Sequence, residues 1–241
     1  MLGEGNLSGE TSDFEALLFG VAGLLPASRG RIDAQSKKEI RKMHAVWKGI
    51  HPLYHQGRLS SSDWQFFRLR PENFPTVRLA GAARLIPKLL DSSVFKAIIS
   101  EMKQSGTPAH EKLKRLRGLF IIPADGFWVS HYRFGESAGR RVKTLVGDSR
   151  AKDILINVII PFCLLYARVF RDKGARQEAL ALAAACPPFG ENSITQAVRD
   201  QLVRDRFRIN SVLTQQGMIQ LYKMFCLEER CGECAIGKAV F

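Results

Sequence analysis

A chain of 241 residues with 46% hydrophobic residues can bury a substantial core, which excludes wholesale disorder. Its 36 Lys and Arg against 23 Asp and Glu leave a net charge of +13, a field suited to polyanions such as nucleic acid or to an acidic protein partner. The five cysteines are an odd number, three of them crowded at the C-terminus, which makes a poor disulfide framework, and no basic-then-apolar leader is visible, so a reducing, cytoplasmic setting is expected.

In chain order, Ser12 and Glu15 have capping-box spacing and open a first helix, whose apolar stripe is Phe14, Leu17, Leu18, Val21, Leu24 and Leu25. Gly20 and Gly23 lower helix propensity there, which predicts close helix packing. A second helix covers Asp33 to Trp47, with Ile40, Met43 and Trp47 inward. The stretch from Gly49 to Asp63 carries Pro52, Gly57 and three serines and is predicted as a loop. Two prolines make RLRPENFPT (68–76) extended or turned, and Thr76 can cap the next helix, which Pro87 kinks or divides. Ser92 or Ser93 starts a helix bearing Val94, Phe95, Ile98, Ile99 and Met102, and after a break at Gly106–Pro108 a basic helix runs to about Phe120.

Residues 121–150 hold four glycines and are predicted to be irregular. The most apolar stretch, Ile154 to Tyr166, is too short to span a bilayer and contains Asn157 and Pro161, so it is a buried core helix rather than a membrane segment. Helices then follow over Ala175–Cys186, from an Asn192 cap to about Phe207, and around Met218–Phe225. No repeat of fixed period is present. The expected fold is mainly α: an irregular globular bundle of roughly eight helices with little or no β-sheet. Residues 1–241 form one helical domain in this reading, with a weak subdivision near 121–150.

Three local signals carry chemistry. In MFCLEERCGECAIG, the C-x-x-C pair at Cys231 and Cys234 can direct two thiolates to one metal, and Cys226 can add a third. Zinc and an iron–sulfur cluster are the candidate cofactors; the fourth ligand is missing locally, and reduced cysteines packed around a C-terminal cap are the alternative. In WQFFRLRPENFPTVR, Arg68, Arg70 and Arg78 sit beside Trp64, Phe66, Phe67 and Phe74, the residue types that grip phosphates and stack on bases. The alternative is a proline-rigid loop anchored by buried aromatics. In FWVSHYRFGESAGRRVK, His131 is a candidate base or ligand, and Arg140, Arg141 and Lys143 follow a Gly-flanked turn whose amides could cradle an anion. The alternative there is a hydrogen-bonded structural histidine. No H-E-x-x-H or phosphate-loop pattern occurs, which argues against self-contained hydrolysis of those kinds.

Five stretches, ALLFGVAGLL (16–25), RLRPENFPTVRLA (68–80), FWVSHYRFG (127–135), ILINVIIPFCLLYA (154–167) and CLEERCGECAIG (226–237), together resemble the bacterial family known as domain of unknown function 2851. The resemblance implies a C-terminal half: family members are usually longer, with upstream GPDF-like and VEIH-like segments similar to those of restriction-endonuclease-like nucleases. It singles out Arg68, Arg70, Asn73, Arg78, His131 and the three C-terminal cysteines as motif positions without assigning them roles. The expectation for function is a noncatalytic basic helical module that binds nucleic acid or supports a nuclease-like partner. One alternative is an interaction domain docking onto a separate N-terminal half. Another is a metal- or cluster-dependent enzyme.

Overall fold

In the computed structural model, which describes residues 10–27, 32–51, 58–203 and 209–240, helix α1 (Thr11–Val21) turns inward a different face from the one its leucines mark. The helix starts with Glu10 at its N-cap, so Ser12 already lies in the first turn and the expected Ser12–Glu15 capping box does not form. Glu15 is buried instead, alongside Phe14, Ala16, Phe19 and Gly20, while Leu17 and Leu18 are half-buried. Burying a carboxylate needs partners, and Glu15 has two: the Trp128 indole N–H and the Arg84 guanidinium both donate to its Oε1, the latter at 3.4 Å. A Cβ on Gly20 would lie 2.4 Å from the Trp47 ring, so the close packing predicted there is observed, and Trp47 is its cause.

Helix α2 (Ala34–Ile50) is capped by Asp33, whose side chain accepts from the Ser36 amide, and it buries Ile40, Met43 and Trp47 as predicted. It runs through Gly49, which was expected in the following loop; residues 52–57 of that loop lie outside the described residues. Helix α3 (Pro75–Leu90) has Pro75 in its first turn and contains Pro87 without dividing. Phe74 occupies the N-cap, and the Thr76 hydroxyl, expected to cap, donates to the carbonyl of Tyr132 instead. Helix α4 (Ser92–Lys103) and helix α5 (Ala109–Gly118) flank the predicted break.

The glycine-rich stretch after α5 forms two small antiparallel sheets. Strand β1 (Ile122–Pro123) pairs with β4 (Thr144–Val146), placing Ile122 opposite Val146. Strand β2 (His131–Arg133) pairs with β3 (Glu136–Ser137), and Gly135 takes the positive φ of +85° that the hairpin turn between them requires. With 68% of the described residues helical and only these short sheets among them, the fold is mainly α.

The chain divides into two compact units, Met1–Ile98 with Arg117–Lys152, and Ile99–Leu116 with Asp153–Phe241. In the first unit α1 packs on α2 and α3, and α3 packs on β4, around Phe19, Ile40, Val77, Ala80 and Trp128. In the second, α7 (Ile160–Val169) packs on α8 (Lys173–Ala185), and α10 (Val212–Leu221) packs on α8 and α9 (Ser193–Val198). The core helix expected from Ile154 begins earlier, as α6 (Asp148–Ile154), and passes through a π-helical turn over Leu155–Ile159 before α7. Pro161 has no N–H to give an i−4 carbonyl, and the wider turn just before it absorbs that loss.

Asn192 caps α9 with a reciprocal bond to Thr195, as predicted; the end of that helix near Phe207 lies outside the described residues. Helix α11 (Ala235–Val240), which no sequence signal marked, closes the chain. No helix among the described residues is long and apolar enough to cross a membrane.

Candidate functional site

The segment 58–78 is pinned to the end of α1. Gly23 has φ +66°, and a Cβ on it would sit 2.2 Å from the Leu59 carbonyl oxygen, so only glycine allows this approach. The Leu59 amide donates to the Val21 carbonyl at 2.9 Å, and the Trp64 indole donates to the Ala22 carbonyl at 2.7 Å. Phe66 then meets Phe74 edge-on, with ring centroids 5.3 Å apart. These contacts hold one end of the loop and push its other aromatic residue outward: Phe67 is 72% exposed, with the Arg68 guanidinium 5.2 Å above its ring. Arg68 adopts a φ of +60°, a conformation that bulky side chains rarely take. Arg70 and Asn73 are exposed, and Arg78 donates to Asn73 Oδ1 at 2.6 Å.

The second basic segment lies against the first. Arg140 donates to Glu72 through Nη2 and to the Tyr132 hydroxyl through Nε at 3.3 Å. Arg141 and Lys143 are exposed on either side of the buried Val142. A shallow pocket of about 290 Å³ is shared by both segments, with Asn73 and Arg78 on one side and Thr144, Ser149 and Arg150 on the other. Within the first unit, the structure thus brings together Arg78, Asn73 and the 140–150 stretch, with Arg68 and Arg70 on the same short loop.

His131 behaves differently from the arginines. It is only 2% exposed, and its ring stacks on Phe127 with centroids 4.1 Å apart. Its Nδ1 lies 3.0 Å from Ser130 Oγ and 3.2 Å from the Phe127 carbonyl, and its Nε2 lies 3.4 Å from Asp33 Oδ1. Partial burial works against the Asp33 carboxylate, but hydrogen bonds from Ser36 and the nearby imidazole outweigh it and hold the group below the ordinary carboxylate value. The arrangement ties the N-terminus of α2 to strand β2. Asp33 Oδ2 is buried without a hydrogen-bond partner among the described residues. In the sequence Asp33 is legible only as a helix start, and Ser130 carries no signal. Their convergence on His131 depends on tertiary contacts between segments far apart in the chain.

The cysteines fall in the second unit. Cys226 ends a π-helical turn (Tyr222–Cys226) and is half-buried, Cys231 is exposed, and Cys234 is buried just before α11. Burial, followed by the neighbouring Cys234 and Cys231, raises the Cys226 thiol above its ordinary value. A Cβ on Gly237 would lie 2.1 Å from the Cys231 carbonyl oxygen, so the loop closes tightly on itself. No group of three or more His, Cys, Asp or Glu side chains among the described residues is placed to hold a metal ion. Brief iodoacetamide treatment near neutral pH is expected to label Cys231 first. Cys163, which is buried and whose thiol is pushed up to about 11 by that burial, should react only after unfolding; peptide mass mapping reads both outcomes.

The family model described as "Protein of unknown function (DUF2851)" matches residues 6–192. The chain belongs to the DUF2851 family. Comparison with curated proteins and comparison with solved structures each found no match. The DUF2851 match includes the stretches at 16–25, 68–80, 127–135 and 154–167, and with them both basic segments and His131. Cys226, Cys231 and Cys234 lie beyond the matched span.

Proposed function

We propose that this DUF2851 chain is a noncatalytic helical module whose first unit binds single-stranded nucleic acid through its phosphates. The observation that carries this reading is the meeting of two Arg-rich segments, 68–78 and 140–150, through Glu72 and a shared pocket. The exposed Phe67 beside Arg68 points to a single strand, because unpaired bases offer π-faces that duplex DNA keeps stacked. Arg68, Arg70, Arg78, Arg140, Arg141 and Lys143 would face the backbone, and buried His131 would support the scaffold instead. Fluorescence anisotropy with labelled single-stranded DNA and RNA tests this. Binding should weaken by about two and a half orders of magnitude between roughly 50 and 200 mM salt if six phosphates of a single strand are contacted. Absence of binding even at the lower salt removes the reading.

A second reading, an interaction domain for a nuclease-like partner half, is favoured by one observation in the second unit. Val158, Leu165 and Val169 recur at helical spacing, and each is more than half exposed. Co-expression with such a half should give a complex that co-elutes and is lost on Leu165→Asp with Val169→Asp. Failure of the wild-type chain to co-elute counts against it.

A further inference from the structure

We infer that the first unit holds a pocket for one unstacked nucleotide of a bound strand, placed between the end of α1, Phe66 and Phe134, with Arg133 at its rim; this rests on the nucleic-acid reading above. The cavity measures about 440 Å³, within the range of small-molecule sites, which begins near ~300 Å³. Leu24, Leu25 and Pro26 give it an aliphatic wall, and Phe66 and Phe134 give it aromatic ones. Both rings are held from behind. Phe66 rests on Phe74, and Phe134 stacks on Phe127 at 5.3 Å and meets Phe19 edge-on at 5.5 Å, so a flat ligand would find preorganised surfaces. The polar groups are few. They are Ser61, Thr76, whose hydroxyl donates to the Tyr132 carbonyl, and Arg133, which pairs with the exposed Glu136 while resting 5.9 Å from the Phe74 ring.

A flat aromatic body with an anionic group at its edge satisfies this lining, and a nucleoside monophosphate has that form. Continuity with the phosphate-binding loop decides among such ligands. Phe66 is next to Phe67, and Arg68 and Arg70 follow directly, so a strand whose phosphates lie on those arginines can turn one base inward past Phe66. The Gly23–Leu59 contact and the Trp64–Ala22 hydrogen bond, which pin this loop to α1, also shape the mouth of the cavity.

The test is isothermal titration calorimetry of the full chain with nucleoside 5′-monophosphates, with ribose 5-phosphate and inorganic phosphate titrated in parallel. A nucleoside monophosphate should bind, and ribose 5-phosphate should bind about tenfold more weakly, because it lacks the base. Phe66→Ala should weaken the nucleotide about tenfold. Arg133→Gln, a surface change that leaves the fold intact, should weaken the nucleotide by about the same factor without altering binding of the uncharged nucleoside. If oligonucleotides bind but mononucleotides do not, the pocket is overturned and the basic face stands. Equal affinity for ribose 5-phosphate and the nucleotide also overturns the pocket, and failure of both ligand classes overturns both readings.

Discussion

Replacing Arg68, Arg70, Arg140 and Arg141 together with Gln is expected to lower affinity for single-stranded nucleic acid about a hundredfold at low salt. All four are exposed, and bonds such as that of Arg140 to Glu72 lie at the surface, where they add little to stability, so the variant should fold normally. The salt dependence discriminates more sharply than the affinity. Each phosphate of a single strand that is no longer neutralised should flatten the log–log slope by about 0.7, so the quadruple variant should lose about 3. A pair drawn from one segment and a pair drawn from the other should each remove about half of that slope if both contact the strand, as the Arg140–Glu72 bond between the segments favours. Unchanged slopes would mean that the net charge of +13 attracts polyanions elsewhere on the chain.

Glu15→Ala is expected to cost about 3 kcal/mol in urea unfolding of the chain. The substitution strips the Trp128 indole of its acceptor and leaves Arg84, whose side chain is only 12% exposed, with Asp125 as its remaining carboxylate partner. Trp128 and Phe19, stacked at 5.6 Å in the core of the first unit, lose the group that fixes their orientation. The isosteric Glu15→Gln separates charge from shape. Burial, opposed by Arg84 and by the hydrogen bond from Trp128, raises the Glu15 carboxyl above its ordinary value of 4.5. A raised carboxyl stabilises the fold fully below the unfolded value and loses that contribution as pH rises through the folded one. Wild type should therefore lose stability relative to Glu15→Gln as pH increases from 4.5 toward neutrality. The opposite trend would show that Arg84 and Trp128 hold the carboxylate ionised against its burial.

Where a side chain speaks to its own backbone, the fold was legible in the sequence. Asp33 and Asn192 cap the helices predicted for them, and the two prolines of RLRPENFPT give the turned segment expected between Arg68 and Thr76. Ser12 and Thr76 show the limit of the same rule. Each has capping chemistry, but the helix starts upstream of it: at Thr11 in one case, and at Pro75, whose fixed φ suits a first turn, in the other. The inward face of α1 was not legible, because a leucine stripe outranks a glutamate in any hydrophobic pattern. Only the distant Arg84 and Trp128 make Glu15 the buried residue.

The candidate site divides along the same line. Phe67, Arg68 and Arg70 could be singled out because they are neighbours in sequence, and Arg140, Arg141 and Lys143 for the same reason. Their approach through Glu72 is a tertiary fact, as is the withdrawal of His131 behind Phe127 toward Asp33. The cavity beside Phe66 had no sequence signature, since its walls come from the stretch after α1, the Ser61 turn, α3 and the β2–β3 hairpin.

Photocross-linking of a 5-bromouracil-substituted single strand to the whole chain, followed by sequencing of the linked peptides, addresses the polyanion face most directly. Cross-links at Phe67 and in peptides spanning 140–150 are expected, and they should fade as salt rises. Cross-links confined to 160–240, or a yield that does not depend on the arginines at 68, 70, 140 and 141, would place nucleic-acid contact outside the two basic segments and refute the face.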